Sequence, residues 1–269
     1  MGGRAAIVLA LGTPVLAGLI FLAVGGAPLA YPVGNALALL LALPVAALVR
    51  IRLTGSRQRV LAVVLLALLF IPLLSGPHLN GIARWLPLGP VALHAGALVV
   101  PALVVLAARD ADYAPPILLA ALLAASLQPD AATGLAVMMA AIGLYNASGD
   151  WRMVPVAGIA FLASISAGLR GELPAQPFVE RVLVDLALHQ PFAALGLGAA
   201  LLASFLLIAH ALPAEKPVRH ALAGSLFGFS LAALVSNYPS VLIGYGAAPI
   251  LGYGLALALA RKAPQTPSG

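Results

Sequence analysis

The chain has 269 residues, 62% of them hydrophobic and only 8% charged, with a mean hydropathy of +1.08. A single water-soluble core cannot hide that much apolar side chain at this length, so a soluble domain is excluded. The apolar residues run continuously instead of alternating, which excludes a β-barrel and leaves an all-α, polytopic transmembrane helical bundle. The net charge of +6 lies in short loops between apolar runs, the pattern of a membrane protein's inner loops rather than a nucleic-acid binder.

A first span is expected over residues 5–24, behind Arg4; it is long enough to stay in the bilayer and lacks a clear cleavage site. Spans follow over 34–49 and 60–74, with Arg50, Arg52, Arg57 and Arg59 in the loop between them. A polar segment over 78–89 leads to a fourth span over 91–108. Residues 115–126 and 131–145 are short for a full crossing, which takes about 20 residues. They read as two short helices meeting at Gln128, Pro129 and Asp130. Spans over 154–169, 191–211, 220–235 and 241–260 complete ten crossings in a single transmembrane domain of residues 1–262, with a short tail over 263–269. Within the outer stretch 170–190, residues 178–188 carry apolar side chains at helical spacing and suit an interfacial helix.

With Arg4 placed inside, alternation puts eleven basic residues on the inner side and only Arg84, Arg170 and Arg181 outside. Both termini are therefore expected in the cytoplasm. The polar segments 80–89, 128–130, 170–190 and 237–245 then all face outward. A carboxylate in an apolar chain is a functional candidate by default, which singles out Asp130. Its simpler role is to cap the helix that begins at Ala131. Without cysteine there is no disulfide or thiolate site; the histidines are scattered and no Walker or dinucleotide pattern occurs, so no metal or cofactor is expected.

Three of these outward segments carry a resemblance. Asn80, Gly81, Arg84, Trp85, Leu86, Leu88 and Gly89 resemble the N-G-x-x-R-W-(I/L)-x-(I/L)-G segment of the SEDS proteins (RodA/FtsW/SpoVE-like proteins of shape, elongation, division and sporulation). Gln128, Pro129, Asp130 and Thr133 resemble their Q-P-D-x-G-T motif. Pro239, Ile243, Tyr245 and Gly246 resemble P-L-P-F-(I/V)-S-Y-G-G-S-S. The resemblance implies a ten-span fold in the bacterial inner membrane and a place in peptidoglycan synthesis, where the family polymerises lipid II beside a penicillin-binding-protein-type transpeptidase. It also implies binding of membrane lipid and of a lipid-linked cell-wall precursor.

The chain departs from the family at several points. His94, Ala95, Gly96 and Ala97 stand where the family has Q-P-S-E, and the long outer loop is cut to about 170–190. His189, Gln190 and Pro191 align with the H-T-D segment, placing Pro191 where the family has its catalytic aspartate. Candidate bases in its stead are Asp185, Asp130 and His189, since glycosyl transfer needs a base close to the acceptor hydroxyl. The candidate substrate-binding residues are Arg84, Trp85, Gln128, Asp130, Asn237 and Tyr245. Three readings follow: a SEDS-like substrate-binding or scaffold component without the family's catalytic aspartate, an active peptidoglycan glycosyltransferase, or a transporter of a lipid carrier or small solute. Of these, the first follows most directly from Pro191.

Overall fold

A computed structural model describes residues 2–49, 51, 53–89 and 91–261; Arg50, Arg52, Lys262 and the 263–269 tail lie outside the described residues. Seven helical stretches are long and apolar enough to cross a bilayer. They are α1 (Gly3–Val24), α2 (Ala30–Leu48), α3 (Gly55–Phe70) continued by α4 (Pro72–Ser75), α7 (Ala131–Ser148), α8 (Met153–Arg170), α10 (Pro191–Leu206) with a π turn at Leu207–Ala211, and α11 (Lys216–Val235). Three shorter apolar helices, α5 (Ala95–Arg109), α6 (Ala114–Leu127) and α12 (Ala247–Ala260), complete ten among the described residues. A two-stranded antiparallel hairpin, β1 (Trp85–Leu88) and β2 (Val91–His94), precedes α5, and an eight-residue helix α9 (Val182–His189) lies between α8 and α10.

Several boundaries differ from expectation, two of them for a tertiary reason. The span expected over 91–108 starts only at Ala95, because Val91–His94 pairs back onto β1 through a turn at Gly89, whose φ of +61° suits glycine. His94 then caps α5, its Nδ1 accepting the Ala97 N–H at 3.1 Å. The last span begins at Ala247 instead of Val241. Its lead-in is held as a turn by Asn35, deep in α2, which donates to the Gly244 carbonyl at 2.9 Å and accepts from the Gly246 N–H at 3.0 Å. The second span begins four residues early, at Ala30. The interfacial helix is also shorter than expected, starting at Val182.

The core is built by close backbone approach. Gly224 and Gly228 of α11 lie against the Met139 and Leu135 carbonyls of α7, and Gly252 of α12 against the Ala97 carbonyl of α5; a Cβ at any of them would collide. Small residues let helices pack closely where lipid removes the hydrophobic incentive to associate. Helix α5 is at the centre, with every residue from Ala95 to Ala107 except Leu98 buried. Its neighbours are α3, α6, α7, α11 and α12.

The two ends of the bundle are chemically distinct. One gathers the start of α1 beside Pro213, the Arg59–Asp110 pair at 2.9 Å and the Gln58 amide on the Leu106 carbonyl. At the same end, Arg109 donates to the Arg261 carbonyl, Arg261 to Ala47 and Arg152 to Ala111. The other end holds the hairpin, the α6–α7 junction and the two loops over 171–181 and 236–246. Those loops are bound together: Glu172 accepts from the Ser236 hydroxyl and the Asn237 N–H, both at 2.7 Å. The Ser240 N–H donates to Val179, and the Tyr245 N–H to Phe178.

Candidate functional site

At this second end the chain buries a polar centre. Asp130, 1% exposed, caps α7: Oδ1 accepts the Thr133 N–H at 3.1 Å and Oδ2 the Thr133 hydroxyl at 2.6 Å. The capping expectation is therefore met, and in a dry setting. Gly96 of α5 packs directly on Thr133 and Asp130, so the cap also locks α5 to α7. Gln128 donates to the Leu69 carbonyl at the end of α3. Tyr238 accepts the Ala131 N–H at 3.0 Å, meeting another open donor of the same helix start.

His94 brings its Nε2 to 3.5 Å from Asp130 Oδ2, an electrostatic contact that does not meet hydrogen-bond geometry. Arg84, 3% exposed, holds its guanidinium 4.9 Å from the Tyr238 ring centroid and 5.1 Å from that of Trp85. The hairpin places these groups together, because β1 and β2 pair Trp85 with His94 and the Arg84 carbonyl accepts the Ala95 N–H. Glu180, in the loop between α8 and α9, lies within electrostatic reach of Arg84, and burial pushes its carboxyl above the usual carboxylate range.

The structure thus unites Arg84, Trp85 and Asp130 around Tyr238 and His94, with Gln128 at the same junction. It does not bring Asn237 or Tyr245 to them. Asn237 donates to the Leu173 carbonyl, and Tyr245 stacks on Tyr31 at 3.9 Å between centroids. His94, Thr133 and Tyr238 were missing from the sequence-based site. For His94 and Asp130 a signal existed, since each is an ionisable group in an otherwise apolar run. Tyr238 gave none.

A sizeable groove lies elsewhere. About 640 Å³ opens between α1, α9 and α10, walled by Ala17, Ile20, Phe21 and Val24 of α1 and by Ala193 and Leu197 of α10. Phe178, Asp185, His189 and Gln190 also line it. Asp185 and His189 are exposed on one face of α9, one turn apart, and the His189 Nδ1 lies 2.8 Å from the Asp185 carbonyl. Pro191 faces a separate apolar hollow with Leu183, Ala187 and Leu195. Asp130 lines neither. Of the three candidate bases, Asp185 and His189 are the two that reach the groove.

No family model and no curated protein matches this sequence. Solved structures do. The fold is SEDS-like, a polytopic helical membrane fold that the three sequence motifs anticipated. The particular match is to the rod shape determining protein RodA of Thermus thermophilus. In an aspartate-to-alanine variant it is 25% identical with a TM-score of 0.65, covering 94% of this chain and 95% of RodA. The unaltered RodA matches at 25% identity and a TM-score of 0.64, with 94% of each chain covered. A chain of a peptidoglycan synthase complex, described as coordinating polymerization and crosslinking, shares the fold at 21% identity and a TM-score of 0.61, over 94% and 96% of the two chains.

Proposed function

We propose that this chain is a multi-pass membrane component of bacterial cell-wall (peptidoglycan) synthesis that binds a polyprenyl-diphosphate-linked precursor at the outer face. The observation that carries the reading is the groove between α1, α9 and α10. Its walls are apolar side chains of the apolar helices α1 and α10, and its lining also includes the polar residues Asp185, His189 and Gln190. That is the shape and polarity of a site for an amphiphile with a long hydrocarbon tail and a saccharide head. The likeness to RodA and to a synthase-complex chain supports the pathway, and the latter supports a transpeptidase partner. The basic residues at the opposite end support placing the groove outside.

A second reading is favoured by Asp185. Proline at 191 cannot accept a proton, but Asp185 lines the groove and could act as base as an acceptor sugar hydroxyl attacks the donor anomeric carbon, the lipid diphosphate departing. One experiment separates the readings. Purified protein in liposomes is given lipid II, and retention and glycan polymer are measured for wild type and Asp185→Asn. Retention without polymer supports the binding component. Polymer from wild type that Asp185→Asn abolishes establishes the glycosyltransferase. Movement of lipid II across the bilayer without polymer establishes a transporter, and absence of both retention and movement removes the proposal.

A further inference from the structure

The end of the bundle opposite the polar centre carries cations of two kinds. Arg59 and Arg152 are paired with Asp110 and Asp150, at 2.9 and 2.8 Å. Lys216 and Arg219, in the first turn of α11, have no carboxylate within 4.0 Å among the described residues. Arg219 Nη1 donates to the His210 carbonyl at 3.0 Å, which turns the guanidinium back over the π turn at Leu207–Ala211. Its Nε–H is buried and has no acceptor in the protein. The rings of His210 and His220 stand edge to face at the same junction, 6.5 Å apart between centroids. Gly3 packs on Pro213, so Arg4 at the start of α1 adds its charge near the turn. The Glu215 side chain makes no capping bond, which leaves the first N–H groups of α11 open, and its charge acts on Arg109 instead. Deeper along the same two helices Phe205 and Phe227 meet at 6.2 Å between centroids, and Phe227 is 46% exposed on the flank of the bundle.

We propose that the α10–α11 junction binds an anionic membrane phospholipid, its phosphate held by Arg219 and Lys216 and an acyl chain lying over Phe205 and Phe227. A buried guanidinium donor without an acceptor is costly until one reaches it, and phosphate oxygens suit guanidinium donors. Basic residues at the ends of membrane helices lie at the depth of lipid headgroups, and the chains of such a lipid run down the apolar flank beneath. A soluble phosphate would satisfy the cations and leave the exposed aromatic flank uncovered, whereas a phospholipid meets both. The π turn supplies the geometry, because it presents the His210 carbonyl that orients Arg219; π turns within helices recur at functional sites. This site is independent of the function proposed above.

The test uses the full chain, delipidated in a neutral detergent, with dioleoyl phosphatidylglycerol, dioleoyl phosphatidylcholine, inorganic phosphate and a poly-glutamate peptide as separate probes. Binding is followed by native mass spectrometry and by the shift in thermal unfolding midpoint. Phosphatidylglycerol is expected to bind and to stabilise wild type, and phosphatidylcholine to bind more weakly. Arg219→Gln and Lys216→Gln are each expected to weaken phosphatidylglycerol binding roughly fivefold. Lys216 is exposed, so its variant keeps the test readable if Arg219→Gln does not fold. Arg57→Gln removes an exposed cation of the same end from α3 and is expected to change the affinity by less than about twofold. Equal losses from Arg57→Gln and Lys216→Gln would reduce the effect to general attraction between charges and overturn the site. Equal affinity for the two lipids overturns it as well, as does inorganic phosphate stabilising the protein as strongly as phosphatidylglycerol. Arg219-dependent binding of poly-glutamate without binding of phosphatidylglycerol assigns the patch to an acidic protein segment and removes the lipid.

Discussion

Asp130 shows how one residue serves both local and tertiary ends. Its two oxygens satisfy the Thr133 N–H and hydroxyl, and Gly96 presses α5 onto that pair. Asp130→Ala is expected to lower stability by about 1–2 kcal/mol through the lost cap alone, and further through the stranded Thr133 hydroxyl. Asp130→Asn keeps an acceptor and should lose less; thermal unfolding in detergent compares the two. The residue was conspicuous in the sequence because a carboxylate amid apolar residues demands a partner. Its partners were not legible: His94 lies 36 positions earlier and Tyr238 108 later, and only the packing of α5, α7 and the 236–246 loop brings them together. Of the candidates read from sequence, Arg84, Trp85, Gln128 and Asp130 lie at one junction of the fold, whereas the partners His94, Thr133 and Tyr238 were not named with them. Asn237 and Tyr245, grouped with them as polar residues of an outward motif segment, stand apart because Asn237 turns to the Leu173 carbonyl and Tyr245 stacks on Tyr31.

At the scale of elements, contact between helices and between loops decides stability. Gly228→Ala would drive a methyl group into the Leu135 carbonyl and force α7 and α11 apart, at an expected cost of about 1–3 kcal/mol. Alanine at Gly158, which has open space around it, should be near neutral or slightly stabilising in the same assay. The loops over 171–181 and 236–246 depend instead on Glu172. The Ser236 hydroxyl and then the Asn237 N–H hold its carboxyl below the ordinary value of 4.5. A depressed folded-state pKa means that the loop contact is fully present above about pH 4.5 and is lost as pH falls through the lower folded value. Amide hydrogen exchange in 236–240 should accordingly rise on acidification in wild type, and Glu172→Gln should show the fast exchange already at neutral pH. The ten helical stretches were legible because sustained apolar runs are a strong signal. The starts at Ala95 and Ala247 were not, because a strand pairing and the distant Asn35 side chain set them.

For the whole molecule, the segregation of charge predicts an orientation that can be read directly. The chain has no cysteine, so a single introduced one reports its own side. Ser56→Cys, at the exposed start of α3, should react with a membrane-impermeant maleimide only after the cells are opened. Pro174→Cys, exposed in the opposite loop, should react in intact spheroplasts. Reversal of that pattern would place the groove in the cytoplasm and remove the outer-face reading.

Helix α6 carries a consequence for the surrounding membrane. Its 14 residues span only about 21 Å, against roughly 30 Å of hydrocarbon, and its Leu123 and Leu127 face outward at more than half exposure. Lipids along that flank must compress or tilt to cover it, an elastic strain of fractions of a kcal/mol per ångström of mismatch. The polar centre stands at the end of this same helix, so local thinning of the bilayer along α6 would fall beside it. Reconstitution in progressively longer-chain phosphatidylcholines should therefore weaken lipid II retention while leaving the fold intact, whereas an unchanged affinity would show that the membrane's shape plays no part in delivery.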